Sequence, residues 1–177
     1  MEPRNDEETR FGTALAARAS RWQRFGLAPD DTEVLAVLTP LVVMVDVGLP
    51  TAAGIVPEPT KLQVAYWTTG GEAALEGYWG NELVMDGFDA NDDEVLVVRG
   101  LCGEPEQFAV WTADWLERQL ARPVVRQEWR RGAAVVFQRW VLADTGDVLA
   151  QRGNRGLRRL VGPHRPDATI LVRNSGG

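Results

Sequence analysis

The sequence predicts an α+β domain: N-terminal helices and one Trp-rich helix packed on a mainly antiparallel sheet formed largely by the C-terminal half. Three observations lead there. Apolar residues recur at three- and four-residue steps over 6–25 and again over 105–121, the period of a helix with one buried face. After Pro123, short apolar runs alternate with turn residues, the pattern of a strand meander. The composition is 45% apolar and 25% charged over 177 residues. That suffices for one domain, residues 1–177, whose core removes roughly two thirds of the unfolded chain's surface from water. The ends near 1–5 and 174–177 read as frayed.

The first helix is expected over Asp6–Phe25. Phe11, Leu15, Ala19, Trp22 and Phe25 form its apolar stripe, Asn5 caps it with Glu8 as capping-box partner, and Gly26 ends it. In Asp30–Leu49, Asp30 or Asp31 suits an N-cap. Pro40 is awkward within one helix, and the β-branched run LVVMVDV equally permits a buried strand. Periodicity leaves the two open. TAAGIVPEPT is a loop, LQVAYW a strand and TTGG a turn. Residues 71–94 are ambiguous between a helix and a hairpin, and EVLVVRG reads as a buried strand. EPEQFAVWTADWLERQLARP is the clearest helix, with Phe108, Trp111, Trp115 and Leu116 on one broad face. Strands follow near 124–131, 134–143, 147–152 and 168–173, with a turn at ADTGD whose Gly146 takes the left-handed position.

Strand alternation gives the first of these a charged row, Arg126, Glu128 and Arg130, opposite Val125, Gln127 and Trp129. The row reads as a solvent-facing, self-paired face. The second strand is mostly apolar on both sides, as expected of a central strand or an interface strand.

Charge is unevenly distributed. Residues 1–121 hold 8 Lys+Arg against 21 Asp+Glu, a net of −13, whereas residues 122–177 hold 11 Arg against 4 acids, a net of +7. The expectation is that the basic part neutralises the acidic part within the fold. The basic run 152–165, with Arg152, Arg155, Arg158, Arg159 and Arg165, is the candidate surface for an acidic partner or a nucleic-acid backbone. Trp129 and Trp140 are added as candidate aromatic anchors.

Catalytic candidates are few. Asp46 follows an apolar run and is expected to be buried, with either an arginine partner or a proton-handling role. Cys102 precedes the Trp-rich helix, where a thiol can be activated, and His164 is the sole imidazole. One Cys and one His leave too little for a zinc site, and the acidic segment 86–94 lacks the glycine and glutamate of a calcium loop. No metal or cofactor is therefore expected. The longest apolar stretch, Val34–Val45, is too short for a bilayer, and no secretory signal pattern opens the chain. A cytoplasmic location without membrane contact is expected.

The function these features support is a non-enzymatic protein-interaction module: an adaptor, inhibitor or regulator. A second reading is a small-molecule-binding protein or enzyme with a pocket between sheet and helices, using Asp46, Gln138 or Arg139. A third is nucleic-acid binding through 152–165. Self-association is compatible with all three.

Overall fold

Asn5 starts the first helix as a side-chain cap. Its backbone is extended and its Oδ1 accepts from the Glu8 amide at 2.7 Å. The Glu8 carboxylate bonds Arg4, backbone and guanidinium, where a capping box would return to Asn5. Burial pushes that carboxyl up, but the hydrogen bonds and charge of Arg4 outweigh it and hold it below its ordinary value. The structure is a computed structural model and describes residues 4–36, 40–51, 58–69, 71–80, 96–153 and 165–174. Helix α1 spans Asp6–Ala19, and the expected continuation to Phe25 is a separate 3-10 turn, Trp22–Phe25. The break follows from local bonding: the Ser20 hydroxyl donates to the Ala17 carbonyl at 3.0 Å, and Gly26 reverses the chain at φ 76°.

The fold is α+β, with two helices packed together and two antiparallel sheets of five and four strands. Strands β1 (Thr32–Ala36), β2 (Leu41–Leu49), β3 (Glu58–Thr69), β4 (Glu72–Trp79) and β5 (Leu96–Leu101) form the first sheet in sequence order. Helix α2 is Pro105–Leu120. Strands β6 (Val124–Arg131), β7 (Ala134–Leu142), β8 (Val148–Gly153) and β9 (Ala168–Arg173) form the second, in the order β8-β7-β6-β9. Sheet structure thus begins well before the C-terminal meander. The segment left open between helix and strand is a strand pair, because Pro40 falls between β1 and β2 and interrupts neither. EVLVVRG becomes the edge strand β5, and its residues are half-buried or exposed, not buried as expected.

The chain divides into two compact units, one of Met1–Val47 with Lys61–Leu120, the other of Gly48–Thr60 with Ala121–Gly177. In the first, Leu41, Val43 and Val45 on β2, Leu62, Val64 and Tyr66 on β3, and Leu75 on β4 are fully buried, as are Phe11 and Leu15 of α1. Phe11 stacks on Tyr66 with ring centroids 4.2 Å apart. On α2, Trp115 packs where β4 has Gly77. A Cβ there would lie 2.9 Å from the Trp115 ring, so only glycine fits. Ion pairs tie α1 to α2 and the residue just before it: Arg10 to Glu104 and Glu106, and Arg18 to Asp114 and Glu117.

In the second unit Arg126 and Glu128 of the charged row are buried, correcting the solvent-facing expectation for those two, while Arg130 is exposed as expected. Glu128 is 1% exposed and Arg126 8%. Arg126 and Arg130 both bond the Glu128 carboxylate, at 2.9 and 2.6 Å. The self-pairing is as expected; the burial arises because an upstream segment of the same unit meets this face. The Pro50 carbonyl accepts from Arg126 at 3.0 Å and from the Trp140 indole at 2.9 Å. Strand β7 is a central strand, one of the two alternatives its apolar faces allowed. Arg122 pairs with Asp144 at 2.8 Å. These basic residues find carboxylates in their own C-terminal part, whereas the expectation looked to the acidic first two thirds. The helix arginines likewise find acids on the neighbouring helix.

Candidate functional site

The end of α1 and the start of β1 enclose an apolar groove in the first unit. After Ala19 the chain must leave the helix and return to the sheet edge. The Trp22 indole anchors the return by donating to Glu117 at 3.1 Å, with Arg24 pairing to the same carboxylate. Gly26 turns the chain, Leu27 buries, and the Ala28 amide donates to Asp31 at 2.6 Å, which steers Pro29–Asp31 into β1. The detour leaves a space of about 280 Å³. Leu15 and Leu27 line it as buried apolar groups. Ala16, Ala19 and Ser20 line its helix side, where short side chains keep it open, and Thr32 and Val34 line it from β1.

Thr32 and Val34 pair with Val45 and Val43, so they lie on the buried, helix-facing side of the sheet. They are only half-buried because β1 is an edge strand. None of the groove's lining residues titrates near neutrality. At its β1 end the chain carries Asp30, Asp31 and Glu33, the first and last exposed. The volume lies just under the roughly 300–1,000 Å³ of common small-molecule sites.

A second cavity, about 20 Å³, is lined among others by Glu7, Tyr66, Thr68, Glu72 and Gly103. The Tyr66 hydroxyl is buried and finds no hydrogen-bond partner among the described residues. Burial, then the negative charges of Glu7 and Glu8, push its pKa up to about 12 from an ordinary 10.0. The folded state therefore holds a proton that the unfolded state releases above pH 10. An alkaline absorbance titration should show Tyr66 ionising near pH 12. The stability it contributes should be full below pH 10 and fall as pH rises through this window. A Tyr66→Phe variant should lose that high step alone.

The residues expected from sequence are dispersed. Asp46 is not the buried carboxylate expected. Its side chain is half exposed and its partner is Lys61 at 3.0 Å, the chain's single lysine where an arginine was expected. It belongs to the first unit, Gln138 and Arg139 to the second. Arg139 is engaged by Gln127, accepting its Nε–H at 2.6 Å, and lies 5.3 Å from the Trp129 ring centre. Cys102 is exposed ahead of α2. His164, Arg155, Arg158 and Arg159 lie outside the described residues, as does the acidic segment 86–94. Arg152 and Arg165 are exposed.

Trp129 and Trp140 are core residues, at 3% and 0% exposure, Trp129 meeting Phe137 edge-on. Among the described residues, the exposed large aromatic is Trp111, 43% exposed on α2 beside Val110. Sequence reasoning placed it on the buried helix face. The helical period puts Phe108, Thr112 and Trp115 inward and leaves Trp111 on the shoulder of that face. The groove was missed altogether, because no motif marks it. Its one trace in the sequence is small residues, Ala16, Ala19 and Ser20, along a single helix face.

Among the described residues, no cluster of His, Cys, Asp and Glu could hold a metal, and no helix is long and apolar enough to cross a membrane. No protein-family model, curated protein or solved structure matches the chain.

Proposed function

We propose that this chain is a non-enzymatic protein-interaction module, an adaptor, inhibitor or regulator, which engages its partner through the groove between α1 and β1. The observation that carries the reading is an open apolar groove beside a sheet edge, with no acid, base or thiol among its lining residues. A catalytic site needs groups that move protons or attack. This groove offers contact area, two aliphatic hydroxyls and the Gln23 carboxamide. The exposed Trp111 and Val110 supply a further apolar patch on α2.

Ala19→Met tests the reading. Methionine is a good helix former and unbranched, so it extends into the groove without charge and leaves α1 intact. The parent chain and the variant are each immobilised, exposed to extract of the native cell, and the retained proteins quantified. A protein held by the parent and depleted about tenfold or more by Ala19→Met, at unchanged thermal stability, is the expected result. Equal retention by both chains, or retention of nucleic acid alone, would remove the groove from the function.

A further inference from the structure

The first sheet has two edges and so does the second, and one of the four differs from the rest. The pairings of β5 with β4, β8 with β7 and β9 with β6 each contain a register shift. Such bulges bend and twist an edge and discourage further pairing. Strand β1 pairs with β2 over all five of its residues without a shift. It has no proline, glycine or lysine among Thr32–Ala36. Its outer backbone groups face no other described strand. A regular edge of this kind is a template for strand addition.

We infer that β1 accepts an extended segment of another protein as a further strand of this sheet, and that the segment alternates apolar and basic residues. The inference rests on the groove being the interaction site. Its logic is the two-residue period of a strand. Side chains of an added strand on the face of Thr32 and Val34 enter the apolar groove beneath Ala16 and Ala19. The intervening side chains lie on the opposite face, where Glu33 is exposed beside Leu35. Asp30, exposed just ahead of the strand, adds a second negative charge. Neither Asp30 nor Glu33 forms an ion pair among the described residues. An incoming lysine or arginine therefore meets a carboxylate with no competing cation. The same charges select against a second copy of this chain. Two β1 strands side by side would bring two such acidic groups together, and like charges on paired strands repel.

The probe is a synthetic peptide of alternating lysine and valine, long enough to cover the five residues of β1, followed by fluorescence polarisation. Saturable binding is expected. It should disappear when alternate amides are N-methylated, because the inter-strand bonds are then lost. It should be absent for the counterpart with glutamate in place of lysine. The double variant Asp30→Asn, Glu33→Gln should weaken binding about fivefold and leave the unfolding midpoint unchanged. Amide exchange should slow at Thr32–Ala36 in the complex. Binding that survives N-methylation, protection that appears elsewhere, or no saturable binding would each overturn strand addition. Should the peptide fail while Ala19→Met still depletes a cellular protein, the groove stands and its occupant is not a strand. If the peptide binds as expected while capture is unaffected by Ala19→Met, the edge is competent but the groove reading falls.

Discussion

Glu128→Ala is expected to destabilise the second unit by roughly 3–5 kcal/mol, the cost of leaving a buried charge without its partner. The carboxylate is 1% exposed and serves two guanidinium groups. Removing it strands Arg126, which keeps one hydrogen bond, to the Pro50 carbonyl, but no negative charge. Arg130 is 43% exposed on its side chain and can turn to water, so Arg130→Ala should cost less than about 1 kcal/mol. The asymmetry between these variants is the diagnostic. Urea unfolding followed by tryptophan fluorescence reads it directly, since Trp129 and Trp140 lie in the same sheet. Comparable losses for the two variants would mean that Glu128 is not enclosed. Replacing the buried pair together, Arg126→Met with Glu128→Leu, should recover much of the loss, because no charge is then left unpaired.

Phe11→Ala should cost roughly 3–5 kcal/mol in the first unit. Phe11 is fully buried and lies almost parallel to the Tyr66 ring, at an interplanar angle of 6°. The truncation removes the transfer energy of a large aromatic and leaves a cavity where α1 meets the sheet. By contrast, Trp111→Ala removes a residue already 43% exposed and should change stability by less than about 1 kcal/mol. Chemical denaturation of both variants decides the matter, and a larger loss for Trp111 would place the core elsewhere. Because α1 forms one side of the groove, the Phe11→Ala chain should also bind the lysine–valine peptide more weakly at temperatures where it remains folded.

Helices and hairpins were legible where the pattern was local. The Asn5 cap, the 105–121 helix, the 124–142 hairpin and the Gly146 turn, at φ 83°, each depend on residues close in sequence. The Arg-Glu-Arg pairing on β6 was legible too, since strand alternation alone puts the three on one face. The candidate site was not. Its walls come from the end of one helix, a reversing turn and an edge strand, none of which carries a motif. Asp46 misled because an apolar run implies burial for its neighbours on one strand face, whereas the alternate residues of β2 grow more exposed toward Gly48.

By itself the sequence determined the class of fold, the limits of α2 and of β6 to β9 to within a residue, and the presence of a single Cys and a single His. The first two follow from short-range rules of capping, alternation and turn conformation. Tertiary structure alone decided which faces meet water. It set a carbonyl from residue 50 against Arg126, buried Glu128, withdrew Trp129 and Trp140 into the core, and left β1 as the unbulged edge beside an apolar groove. The physical reason is that burial depends on what packs against a face, and those partners lie tens of residues away along the chain.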